Sequence, residues 1–204
     1  LVLMSAENGS PYHRPPLSKK ALLEGAEGAS LSLRPEPWYE SNRVTCYTSA
    51  KVTGIDRAAR RVHLQSASAP EVMAYDALIL ATGAAPRAWT DPVKGGDALG
   101  LADGVHVLRD VEDAQALRAA LLASGHLVII GGGYIGLEVA ATARALGCEV
   151  CIVEQAPRIL QRVAPQATSQ LLLQLHQSHG VQLFEGAQVV ALQKKKKKIS
   201  SVRI

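Results

Sequence analysis

A chain of 204 residues, 48% of them hydrophobic, holds enough material for one large or two small domains with real cores. Of its 22 basic residues five form the run Lys194–Lys198, leaving 17 against 18 acidic ones, so the net charge of +4 is local and argues against a nucleic-acid partner. Three cysteines, Cys46, Cys148 and Cys151, are too few for a disulphide framework and point to a reducing, cytoplasmic setting; no apolar stretch reaches the roughly 18 residues of a membrane span.

"LVLMS" at the start reads as a strand running into the Pro-fixed loop "AENGSPYHRPP", and "LSKKALLEG" as a short helix with Ser18 as its cap. "RVTCYT", "KVTGID" and "RRVHLQ" are short and rich in β-branched residues, with "DRAAR" as a hairpin turn between the last two. "YDALILATG" is expected to be a buried strand ending at Gly83, closing a strand-rich half near Asp103.

The rhythm then changes. Val105 to Leu108 is expected as a short strand, and "DVEDAQALRAALLAS" as a helix capped by Asp110 with Val111, Ala114, Leu117 and Leu121 on one face. "HLVIIGGGYIGLEVAATARALGCEVCIVE" is strand, glycine turn, helix, strand, the minimal βαβ unit. "PQATSQLLLQLHQSHG" follows as a helix and "VQLFEG" as a strand. A weak repeat sets Val52, Ile55 and Val62 against Val189, Leu192 and Ile199, placing the lysine run in a hairpin turn.

Gly131, Gly133 and Gly136 satisfy G-x-G-x-x-G between the strand "HLVII" and the helix "YIGLEVAATARAL", and Glu154 ends the next strand. Each part has a reason. Gly131 permits the tight turn, Gly133 lets a pyrophosphate approach, Gly136 brings helix close to strand, and the helix N-terminus favours negative charge. Gly132, Tyr134 and Ile135 complete the cofactor-binding turn. Glu154 would accept both ribose hydroxyls and repel a 2′-phosphate, selecting NAD over NADP.

Other chemistry is thinly represented. Cys148 and Cys151 form a C-x-x-C by spacing but straddle a strand start and read as packing residues. The six histidines form no ligand set, so no metal site is expected, and there is no nucleophile–base motif. Chemistry therefore belongs to cofactors.

"PYHRPPLSK", "LRPEPWY", "ALILATGAAPR" and "GGGYIGLEVAATARALGCEVCIVEQAPRIL" resemble, in this order and spacing, the FAD- and NADH-dependent ferredoxin reductases of oxygenase systems, of the putidaredoxin and rubredoxin reductase type. The resemblance implies an α/β fold of two Rossmann-like domains of the glutathione reductase type, each with an inserted β-hairpin or meander and both incomplete. The FAD-binding domain would span 1–104 and the NAD-binding domain 105–204. It implies that Lys19 lies beside the flavin with Glu138 as its carboxylate partner, and that Arg14 and Pro15 line the flavin. Ala81, Thr82 and Gly83 would form a turn against FAD, with Arg87 near it, and Val52 would hold the adenine by its backbone. The family's acidic residue for the FAD ribose aligns with Ala6, next to Glu7, which would substitute.

The family has a further strand and G-x-G-x-x-G ahead of the first matched residue, and a second flavin segment and C-terminal domain after the last. A longer parent is thus expected, with the 204 residues alone binding FAD poorly. The implied electron acceptor is an iron-sulfur ferredoxin or a rubredoxin. Alternatives are a relative serving a quinone, monodehydroascorbate or a nitrite reductase module, and a non-catalytic NAD-binding fragment.

Overall fold

The computed structural model describes residues 1–26, 31–90, 98–195 and 198–204. Its strands are β1 Val2–Met4, β2 Thr45–Tyr47, β3 Lys51–Asp56, β4 Arg61–Gln65, β5 Val72–Ala74, β6 Trp89–Thr90, β7 Ala98–Leu99, β8 His126–Ile130, β9 Glu149–Val153, β10 Val181–Phe184, β11 Ala191–Lys195 and β12 Lys198–Arg203. The helices are α1 Lys20–Glu24, α2 Glu36–Ser41, α3 Val111–Ser124, α4 Tyr134–Ala145 and α5 Gln166–Ser178, with 3-10 turns at Pro15–Ser18 and Leu101–Asp103. The chain divides into two compact units, Leu1–His13 with Leu31–Ala84, and Arg14–Ser30 with Ala85–Ile204.

In the first unit β1 pairs in parallel with β2, Leu3 opposite Cys46, and β3, β4 and β5 form an antiparallel meander. Alternation along β4 buries Val62 and Leu64, which with Ala50 gather Met4, Tyr47, Met73 and Leu78 into a small core. The "DRAAR" turn closes as expected: the Asp56 carboxylate accepts the Ala59 N–H at 2.8 Å, and Arg60 takes the left-handed conformation at φ +51°.

"YDALILATG" is not a strand. It finds no ladder partner among the described residues, and Ile79 and Leu80 are 86% and 67% exposed. β-propensity forms a strand only where a neighbour accepts its hydrogen bonds. The expected strand at Val105 to Leu108 is likewise absent, for the same want of a partner.

The second unit holds a parallel sheet ordered β10, β9, β8. Leu121 of α3, Leu137 and Ala140 of α4, Ile152 of β9 and Val181 of β10 pack into one core. Helix α3 starts as expected. The Asp110 carboxylate accepts the Asp113 N–H at 2.9 Å and Asp113 accepts that of Asp110 at 3.4 Å, while Gly125 ends the helix at φ +68°. Ala114, Leu117 and Leu121 are buried on its inner face, and Val111 only partly. The cysteines behave as packing residues: Cys148 is buried with its thiol on the Leu121 carbonyl, and burial pushes the Cys151 thiol up.

Strands β11 and β12 form the expected hairpin, but the lysine run is not simply its turn. Lys194 and Lys195 belong to β11 and Lys198 opens β12, while 196–197 lie outside the described residues. The two hairpins of the weak repeat also differ in register. Ile55 faces Val62, whereas Leu192 faces Val202 across a bulge at Gln193 and Lys194. Among the described residues no helix is long and apolar enough to cross a membrane.

Candidate functional site

The glycine turn joins β8 to α4. The Gly131 N–H donates to the Val153 carbonyl at 2.8 Å, extending the sheet by one bond, and its φ of +109° then swings the chain away from the strand. A Cβ on Gly136 would stand 2.3 Å from the Gly131 carbonyl oxygen, so only glycine lets α4 start this close to β8. Gly133 differs: nothing lies within 4 Å of the position its Cβ would take. The space above this residue lies at the N-terminus of a 12-residue helix, whose first backbone N–H groups have no partner within the helix and suit an anion. Tyr134 and Ile135, each 57% exposed, stand at the same helix start.

Glu154 follows β9. Its Oε2 accepts the Gly132 N–H and its Oε1 the Ala156 N–H, both at 2.6 Å. Two backbone donors thus fix the carboxylate's plane, and each oxygen retains a lone pair for a hydroxyl donor. Open space at Gly133, a helix N-terminus and a fixed carboxylate together fit a dinucleotide's pyrophosphate and ribose.

Helix α4 also carries the second feature, one turn further on. Lys19 Nζ lies 2.7 Å from Glu138 Oε2, and the Ser18 hydroxyl donates to the same oxygen at 2.5 Å across 120 residues of sequence. Thr142, the next residue on that face, donates to the Ser18 carbonyl at 2.8 Å. Lys19 further donates to the Pro15 carbonyl at 3.2 Å, and the Arg14 guanidinium to the Arg109 carbonyl at 2.6 Å. Burial pushes the Glu138 carboxyl up, but hydrogen bonds from Lys19 and Ser18 and the lysine's charge outweigh it and hold the carboxyl below its ordinary value.

Ser18 is therefore not the cap of α1, as its place in the sequence suggested: the N-cap position falls to Lys19, and the Ser18 hydroxyl donates instead to the Glu138 carboxylate. Its role, and that of Thr142, were missed by sequence reasoning. The only signal was the Glu138–Thr142 spacing of one helical turn.

In the first unit Glu7 follows β1, with its Oε2 accepting the Tyr12 hydroxyl at 2.6 Å and its carbonyl accepting the Ser49 N–H at 3.0 Å. Neighbouring Ala6 is exposed. Val52 pairs with Leu64 in the meander and is 41% exposed, and Ala81, Thr82 and Gly83 are exposed, Gly83 at φ +68°. In the second unit Pro15 opens a 3-10 turn and Arg87 is exposed. The structure thus brings together Lys19 with Glu138, and Glu154 with the glycine turn. Among the described residues no group of His, Cys, Asp and Glu is arranged to hold a metal.

The family model for pyridine nucleotide-disulphide oxidoreductases matches residues 1–203. The chain belongs to this family. It is similar to a probable ferredoxin reductase of Castellaniella defragrans, 39% identical over all of this chain and 48% of the relative. It is also similar to the ferredoxin–NAD(+) reductase component of an anthranilate 1,2-dioxygenase system of Burkholderia cepacia, 38% identical over 89% of this chain and 42% of the relative. Among solved structures, a covalent putidaredoxin reductase–putidaredoxin complex matches with a TM-score of 0.87 and 37% identity, over 98% of this chain and 47% of that one. The chain spans less than half the length of these relatives.

Proposed function

We propose that this chain forms the nucleotide-binding part of an NADH-dependent flavoprotein reductase that delivers electrons to a small ferredoxin or rubredoxin feeding an oxygenase. In this reading residues 1–104 serve FAD and residues 105–204 serve NAD(H). The observation that carries it is the Lys19–Glu138 pair, 2.7 Å apart, with Glu138 on the helix that begins at the glycine turn.

Bound FAD would supply the acceptance of hydride from NADH and the release of single electrons. The chain's residues bind and position. The turn from Gly131 to Gly136 offers α4's first N–H groups and an uncrowded Gly133 to a pyrophosphate. Glu154 accepts ribose hydroxyls and repels a 2′-phosphate. Lys19 places a cation where a ring that gains negative charge would be favoured, and Glu138, braced by Ser18, keeps that cation charged and fixed. The acceptor class draws its support from the names of the relatives.

Anaerobic titration of the longer parent expected from the sequence, which carries the further flavin-binding segments, tests this reading. NADH is expected to bleach the flavin band, with NADPH about 100-fold less effective, a gap of about 2.7 kcal/mol. Reoxidation is expected to be faster with a ferredoxin or rubredoxin than with a quinone or monodehydroascorbate. Failure of that parent to retain flavin, or bleaching by neither nucleotide, overturns the proposal.

A further inference from the structure

The stretch "PRIL", Pro157 to Leu160, lies just beyond Glu154 and has no part in the site so far. A basic side chain four residues after the ribose carboxylate invites assignment as a phosphate ligand. Arg158 is committed elsewhere. Its Nη1 donates to the Ala164 carbonyl at 2.9 Å and to the Ser169 hydroxyl at 2.6 Å, and its Nη2 to the Gln161 carbonyl at 3.1 Å. Three of the five guanidinium donors are thus spent on the chain's own loop and on α5.

What these bonds hold is the floor of the glycine turn. Ser169, 2% exposed, passes the clamp on by donating to the Ile159 carbonyl at 2.6 Å. Glu185, just after β10, accepts the Ile159 N–H at 2.7 Å, so Ile159 is held through both its N–H and its carbonyl. Ile159 is fully buried, and its Cγ2 occupies the place a side chain on Gly132 would need. Leu160, 4% exposed, sits at φ +52°, where a leucine is strained, and in that conformation donates its N–H to the Gly132 carbonyl at 3.0 Å. Gly132 is therefore held through its carbonyl by Leu160, through its N–H by Glu154 and from below by Ile159.

We propose that Arg158 is a positioning residue of the dinucleotide site, acting through Ser169, Ile159 and Leu160 to fix Gly132 and hold the glycine turn open, and that it makes no contact with the nucleotide's phosphates. The inference rests on the reading of Gly131 to Gly136 as the NAD(H) site.

The test uses the full chain with Arg158→Ala and, as a milder break of the same clamp remote from any phosphate, Ser169→Ala. NADH binding is followed by calorimetry at about 50 and about 300 mM salt, concentrations that separate screened from unscreened charge contacts. Both variants are expected to raise the Kd about 5- to 20-fold at unchanged stoichiometry, and to weaken with salt by the same factor as the parent. A loss of salt dependence in Arg158→Ala would mean direct phosphate contact and overturn the proposal. So would a lowered stoichiometry at unchanged Kd in Ser169→Ala, the mark of mere unfolding, or parental Kd values in both variants. Failure of the unsubstituted chain to bind NADH overturns instead the assignment of the site itself.

Discussion

Ile159 occupies the space that a side chain on Gly132 would require: a Cβ there would stand 2.6 Å from Ile159 Cγ2 and 3.2 Å from its Cβ. The fingerprint G-x-G-x-x-G leaves this position open to any residue, so the middle one of the three consecutive glycines answers to packing and not to the ligand. Gly132→Ala is expected to destabilise the chain by about 1–3 kcal/mol through overpacking, and Ile159→Ala by about 2–5 kcal/mol through its cavity. In the double variant the methyl enters the vacated space, so the two costs fall short of additivity by about 1 kcal/mol or more in urea unfolding. Strict additivity would show that the two residues do not share that space.

Gly133 gives the opposite expectation. Its backbone, φ −81° and ψ 179°, suits alanine, and among the described residues no atom beyond its own chain neighbours lies within 4 Å of the added carbon. Gly133→Ala should leave unfolding free energy within about 0.5 kcal/mol of the parent, while NADH affinity drops about 10-fold or more as the methyl enters the phosphate space. Unchanged affinity would place the pyrophosphate elsewhere.

The Glu138 carboxyl lies below its ordinary value of 4.5 because Lys19 and Ser18 hydrogen bonds outweigh the effect of burial. A depressed carboxyl contributes stability that is fully present above 4.5 and is lost as pH falls through the lowered value. Glu138→Gln should therefore lower the urea midpoint by a constant amount above that pH and converge with the parent below it. Since Lys19 and Glu138 side chains are 50% and 33% exposed, solvent screening keeps the difference to about 1 kcal/mol or less. A difference that persists in acid would assign the effect to packing.

Lys194 has a defined partner in Asp103, 2.5 Å away. The Lys194 hydrogen bond first, and the Gly100 N–H second, hold the Asp103 carboxyl below its ordinary value. Lys194→Gln should bring that carboxyl back part of the way in an NMR titration, the Gly100 bond sustaining the rest, whereas Lys195→Gln should leave it unmoved. Equal effects from both would mean a diffuse field of the lysine run rather than one contact.

Local pattern was a good guide where one element carries its own evidence. The Asp110 cap, the Gly125 stop and the buried stripe Ala114, Leu117 and Leu121 define α3 without help from the rest of the chain. The hairpin turn at Asp56 to Arg60 was legible for the same reason. "YDALILATG" was misleading because apolar composition specifies a wish for a partner and not the partner itself. Ser18 was misread because a hydroxyl before a helix has two uses, and the acceptor that claims it lies 120 residues away.

The sequence by itself determined the glycine turn, the βαβ unit around it and the place of Glu154 at the end of the next strand, since all three depend on residues close in the chain and on backbone sterics that glycine alone relieves. Only tertiary structure decided what braces that turn and what holds the lysine. The Arg158 clamp, the Ile159 floor under Gly132 and the Ser18–Lys19–Glu138–Thr142 cluster each join groups whose individual letters admit many roles. A buried donor or acceptor must find a partner, and which partner it finds is settled by packing across elements rather than by neighbours in sequence.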